Sequence, residues 1–297
     1  MRRLLAVGLA GMIVAGCSDE DPVATGTSDT TVVTTVVTTN VTAKPAPATT
    51  TTLAPTTTTT LTPQATVASA LATAETAIRD PATRAADLPA LGQSQQQAYR
   101  NLVGHPEWDA EVLALVPERL RTTVEANVSA GRDLAALTPA PPAGTPLPKW
   151  RIVAPDPAEQ LVALYKEGAA AAGGLPWQYL ASIHLVETRM GRIKGDSTAG
   201  AQGPMQFIPT TWDIYGRGGD ITSNRDAIFA AARYLRATGA PSDMARALRA
   251  YNNSARYVRA VTAYAQQIQA DERAYLGYHA WQVYYGSRLL PEGTVLG

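Results

Sequence analysis

The chain has 297 residues, 25 basic against 25 acidic side chains, and an apolar content of 45% in which aromatics are only 6%. That length accommodates one or two domains with a real core, and the balanced charge excludes the basic footprint of a nucleic-acid binder. A single Cys excludes an internal disulfide framework and three scattered His are poor material for zinc, so any chemistry falls to carboxylates, hydroxyls, amides and aromatics.

The first residues read as an address. Met1, Arg2 and Arg3 form a positive start, and the apolar run from Leu4 to Val14 is too short to span a bilayer but suits a secretory leader. The only Cys closes the run in Val14-Ala15-Gly16-Cys17, which resembles a bacterial lipobox. The resemblance implies cleavage of residues 1–16 and a diacylglycerol on Cys17, anchoring the protein to the outer face of the cell membrane. The plainer alternative is an ordinary signal peptide that contains a Cys. Residues 17–66 follow as a tether. From Thr25 to Thr66 the sequence is low in complexity and rich in Thr, with no helical period and too little apolar surface to offset chain ordering. A disordered coil of that length reaches about 40 Å, and an extended one on the order of 130 Å.

Residues 67–138 read as a helical segment. Val67, Leu71, Ala74 and Ile78 recur at helix spacing until Asp80-Pro81. A second stretch covers Ala82 to Leu102 and carries Gln95-Gln96-Gln97. Pro106 starts a third, and Pro117 a fourth with Leu120, Val124 and Val128 at successive turns; Gly131 dents it. His105 and Trp108 read as packing residues. Residues 139–149 are a Pro-rich, semi-rigid connector.

Residues 150–297 are again helical. Asp156-Pro157 opens a helix that Gly173-Gly174 ends, and Pro176 opens the next, through Arg189. Ser223 with Asp226 is a capping-box-like start for a helix to Thr238. Ser242 caps another, to Tyr251, and a further helix runs from Ala255 to about Ala274. The tail from Tyr275 is aromatic. No sustained alternation of period two occurs, so the fold class is mainly α.

One residue breaks the apolar pattern. On the Pro176 helix, Leu180, Ile183, His184 and Glu187 share a stripe. A carboxylate on an apolar face is costly unless partnered or protonated, and a protonated Glu is what a glycosidase uses as general acid. The structural alternative is an ion pair with Arg189 or Arg192. A zincin helix would need a second His near His184, and none is present, so no metal or other cofactor is expected.

The residues downstream carry a resemblance. Nine residues, beginning with Thr188, separate Glu187 from Ser197; then come Gly200-Ala201-Gln202-Gly203 and Met205-Gln206-Phe207, with Pro209-Thr210 beyond. Later come Asp226-Ala227-Ile228, Tyr234-Leu235 and Ala250-Tyr251-Asn252. Together these resemble lytic transglycosylases of the goose-lysozyme-like (SLT) superfamily, closest to the membrane-bound B-type branch and an actinobacterial lipoprotein subgroup. The match covers about Trp150 to Gln269. Thr188 stands where Ser is commoner, Pro204 replaces Leu or Tyr, and the long insertion of B-type enzymes after the Glu is missing.

The resemblance implies a lysozyme-like domain acting on peptidoglycan glycan strands. Glu187 would protonate a MurNAc-β-1,4-GlcNAc oxygen and then take the C6 proton, leaving a 1,6-anhydro end. Ser197 and Gln206 would orient the N-acetyl group, with Gly203 letting backbone approach the glycan. Met205 and Phe207 would floor the site, and Tyr251 and Asn252 would line it. Two other outcomes remain open. A second carboxylate, from Asp196, Asp213 or Asp220, would give a hydrolytic muramidase; a chain with no activity would be a wall-binding or scaffold lipoprotein. Protein partners are not legible.

Overall fold

The computed structural model describes residues 61–139 and 147–297. The leader 1–16, Cys17, the tether up to residue 60 and residues 140–146 of the connector lie outside the described residues. The fold is mainly α: the described residues form eleven α-helices and four strands of two or three residues.

The first helix, α1 (Pro63–Arg79), begins earlier than Val67. The Thr62 hydroxyl accepts from the Ala65 N–H at 3.1 Å, and Pro63 fills a first-turn position where a missing N–H is harmless. The second, α2 (Leu88–Gly104), begins later than Ala82, because Asp80 turns the chain by accepting from the Ala82 N–H and Ala85–Asp87 forms a 3₁₀ turn. Then come α3 (Asp109–Leu115) and α4 (Glu118–Leu137). Gly131 does not break α4. A Cβ there would lie 2.6 Å from the Val103 side chain, so the glycine lets α2 and α4 approach. His105 and Trp108 stack on each other, 3.9 Å between ring centroids.

Beyond the connector, β1 (Arg151–Ile152) pairs antiparallel with β2 (Ile193–Lys194), flanking α5 (Ala158–Ala171) and α6 (Gln178–Thr188) in sequence. There follow α7 (Pro209–Tyr215), α8 (Asn224–Thr238), α9 (Met244–Tyr251), α10 (Ala255–Ala270) and α11 (Ala274–His279). Ser223 caps α8 through the Asp226 N–H, as its spacing predicts. The cap of α9 is Asp243 rather than Ser242: its carboxylate accepts from the Arg246 N–H at 2.9 Å. α10 stops at Ala270, short of Ala274, where Asp271 turns the chain into α11. The aromatic tail contains a hairpin, β3 (Val283–Tyr285) with β4 (Arg288–Leu290), in register Tyr284↔Leu289. Strands this short carry no readable alternation.

A single large apolar cluster runs from Val67 and Leu71 through Leu180 and Ile183 to Tyr278 and Trp281. α10 packs against both α4 and α6, and α2 packs against α11. Polar contacts reinforce this. The Gln96 amide donates to the Gln282 carbonyl and accepts from its N–H at 2.9 and 2.7 Å, and Trp281 donates to Gln95 at 2.9 Å. Buried Glu75 takes hydrogen bonds from Arg79 and Tyr99, while Asn127 donates to the Tyr99 oxygen and accepts from Tyr278 at 2.7 Å. Such a network is stable because nearly every member is satisfied. It ties the first helices to the last ones.

Candidate active site

The site is built on α6. Every residue from Leu180 to Met190 is buried, so the expected stripe is a helix enclosed on all sides. Its sequence, Leu180-Ala-Ser-Ile-His-Leu-Val186, offers no polar face to solvent. His184 is one packed member: its Nδ1 lies 2.7 Å from the Tyr165 hydroxyl, and burial holds its pKa down to about 3, so the ring is neutral.

Glu187 is 2% exposed. Its Oε1 accepts a hydrogen bond from the Tyr257 hydroxyl at 2.8 Å, and its Oε2 is buried without a partner. Burial raises the carboxyl pKa to about 8, opposed by the Tyr257 hydrogen bond. No neighbouring carboxylate or cation among the described residues contributes to that shift. Neither Arg189 nor Arg192 pairs with Glu187, which removes the ion-pair alternative.

The helix ends in an unusual turn. Arg189, Met190 and Gly191 all have positive φ, at 54°, 60° and 77°. Two bulky residues in the left-handed region cost about 1–3 kcal/mol each. The turn is closed by the Met190 N–H on the His184 carbonyl and the Arg189 N–H on the Leu185 carbonyl. Thr188 adds two side-chain hydrogen bonds to this turn. Its hydroxyl donates to the Pro204 carbonyl at 2.6 Å and accepts from the Gly191 N–H at 3.1 Å, fastening the next loop to the end of α6.

That loop holds most of the predicted residues. The Ser197 oxygen accepts from the N–H groups of Ala199 and Ala201, at 3.2 and 3.0 Å, which leaves its hydrogen to donate elsewhere. Gly203 has φ 73°, and a Cβ there would fall 1.9 Å from the Ile221 carbonyl oxygen, so this position accepts only glycine. Gln206, at φ 51°, donates to the Gly203 carbonyl at 2.9 Å, and its Oε1 is buried without a partner. The Asn252 Oδ1 is in the same condition. Glu187, Gln206 and Asn252 therefore each have one buried oxygen without a hydrogen-bond partner among the described residues.

Tyr251 closes the arrangement. Its hydroxyl donates to the Met205 carbonyl at 2.7 Å, its ring stacks parallel to Tyr257 with centroids 6.4 Å apart, and Phe207 meets it edge-on at 5.9 Å. The contacts thus run from Glu187 through Tyr257 and Tyr251 to the 203–207 loop. Met205 and Phe207 are 0% and 3% exposed. Both belong to the large apolar cluster, with Tyr251 and Trp212 packed against it. Asp196, Asp213 and Asp220 are all exposed, and Asp220 is held in a turn by the N–H and hydroxyl of Thr222.

Tyr257 is the residue that sequence reasoning missed. It sits on the buried face of α10 with Ala260, Val261 and Tyr264. A hydroxyl on an apolar face needs a partner, and that was the available signal. Tyr257→Phe is expected to raise the Glu187 pKa further, since it removes the one bond that favours the carboxylate. The titration of the Glu187 carboxyl, followed by NMR, should move upward in the variant, which a merely structural role for Tyr257 would not produce.

Comparison with family models, curated proteins and solved structures found no match to this chain.

Proposed function

We propose that the chain is a peptidoglycan lytic transglycosylase with a lysozyme-like catalytic region, held on the outer face of the cell membrane by a lipid on Cys17. The observation that carries this reading is Glu187: a buried carboxyl whose pKa burial raises to about 8, with one oxygen fixed by Tyr257 and the other unpaired. The proton resides on Oε2, because Oε1 is the acceptor for Tyr257.

In the proposed reaction Oε2 gives its proton to the glycosidic oxygen between MurNAc and GlcNAc as the C1–O bond breaks. The MurNAc N-acetyl oxygen closes onto C1. The Glu187 carboxylate then removes the C6 hydroxyl proton, O6 attacks C1, and the N-acetyl oxygen departs. The ring closes as a 1,6-anhydro sugar, no water is consumed, and the acid is regenerated. The free Oε1 of Gln206 suits the N–H of the N-acetyl group, and the spare hydrogen of Ser197 suits its carbonyl. Lone-acid chemistry is supported by the exposure of Asp196, Asp213 and Asp220 and by the absence of any carboxylate acting on Glu187 among the described residues.

Mass analysis of the soluble products from digested sacculi tests the proposal. Anhydro-muropeptides are the expected result. Reducing MurNAc ends would replace it with a muramidase, and bound but undigested wall with a scaffold.

A further inference from the structure

Two residues past Glu187, Arg189 occupies a position that the proposed chemistry does not use. Its side chain is among the buried charged groups, at 8% exposure, and it forms no ion pair among the described residues. Its Nη1 is buried without a hydrogen-bond partner. The guanidinium carbon lies 5.3 Å from the centre of the Trp281 ring, an attraction that offsets only part of the cost of desolvating a full charge. Burial lowers its pKa to about 10, and the nearby cations Arg100 and Arg192 act in the same direction while Tyr264 opposes them. At physiological pH the charge stays.

Arg189 lines a cavity of about 30 Å³ bounded by α2, α4, α10 and Trp281. Tyr99, Tyr264 and Trp281 form walls; Arg100 also lines it, but its guanidinium donates to the Gly286 carbonyl at 2.9 Å and lies over the Tyr284 ring. No carboxylate lines it. Glu75, behind Tyr99, is already engaged by Arg79 and Tyr99, and the wall amides of Gln96 and Asn127 are engaged as described above. The cavity therefore sets the buried Arg189 cation among aromatic walls, with no carboxylate in its lining. The left-handed turn at Arg189 and Met190 holds the guanidinium there in spite of backbone strain.

We propose that this cavity binds one small monovalent anion, a halide or the carboxylate head of a small acid, held by Arg189. The volume admits one or two water-sized species, which excludes sugars and nucleotides. Water would fill the space but would not neutralise the charge. A bound anion would join α2 and α4 to the turn that ends α6, the helix of Glu187. This site stands whether or not the chain cleaves glycan.

The test is thermal unfolding of the full-length protein in sodium gluconate, whose anion is too large for the cavity. Chloride or acetate is titrated in at constant ionic strength. The wild type should gain a saturable rise in Tm, about 3–6 °C at tenfold excess over the dissociation constant, and Arg189→Met should gain none. A response to chloride assigns the halide, and one to acetate the carboxylate. Should Arg189→Met fail to fold, wild-type crystals grown in bromide provide the readout: an anomalous peak within hydrogen-bond distance of Arg189 Nη1. Equal Tm responses in wild type and variant, or saturating bromide with no peak in the cavity, would overturn the proposal.

Discussion

Glu187→Gln is expected to reduce release of anhydro-muropeptides by about 10³-fold or more, the upper range for loss of a group that both gives and takes a proton. The variant should unfold at the same temperature as the wild type or higher. Glutamine keeps an oxygen at the Oε1 position, so the Tyr257 hydroxyl retains its acceptor. It also removes an ionisable group from a site that disfavours charge. Activity and stability therefore move in opposite directions, which separates a chemical role from a structural one. The measurement is product mass spectrometry on purified sacculi beside a melting curve at pH 6. Full lytic activity in the variant would remove Glu187 from the reaction. Loss of activity together with collapse of the fold would mark it as a structural residue instead.

The helices of this chain were legible wherever a local rule sets them. Pro117, Pro157 and Pro176 mark three starts, Ser223 caps α8, and Gly173-Gly174 ends α5, because capping and φ preferences act within a few residues. The misplaced boundaries are those at which two local candidates compete. Asp243 beats its neighbour Ser242 through a charged acceptor, and Asp271 ends α10 before the apolar pattern runs out. In the site, Glu187 stood out because a carboxylate on an apolar helix violates a rule that needs no partner to be visible. Tyr257 did not, because its meaning depends on a contact between residues 70 apart in sequence. Met205 and Phe207 illustrate the reverse. Apolar residues near a candidate acid suit a ligand floor and a core equally well, so their pattern in the sequence does not separate the two. The union of the first four helices with the last two was likewise invisible: the Gln95-Gln96 pair reaches Trp281 and Gln282 across 186 residues.

The same carboxyl makes stability depend on pH in a direction unusual for an acid. Burial raises the folded pKa of Glu187 to about 8 from an ordinary 4.5. The folded chain thus binds this proton more tightly than the unfolded chain. Its contribution is fully present below about pH 4.5, declines as pH rises, and is lost above pH 8. At 1.36 kcal/mol per pKa unit the whole effect is on the order of 5 kcal/mol. His184 acts with the opposite sign. Its folded pKa is lowered to about 3, so its contribution grows with pH and is complete above 6.5; burial also lowers His279. Between pH 6.5 and 8 the histidines no longer contribute a slope, and Glu187 stands clear of them. The measurement is Tm of wild type and Glu187→Gln from pH 5 to pH 9, read as a difference so that groups common to both cancel. The variant should gain on the wild type by on the order of 10 °C across that range, most steeply between about pH 5.5 and 7 and levelling off above pH 8. Parallel curves would mean that Glu187 ionises in the folded protein as freely as in water, and the proposed glycan cleavage would then need its proton from another group.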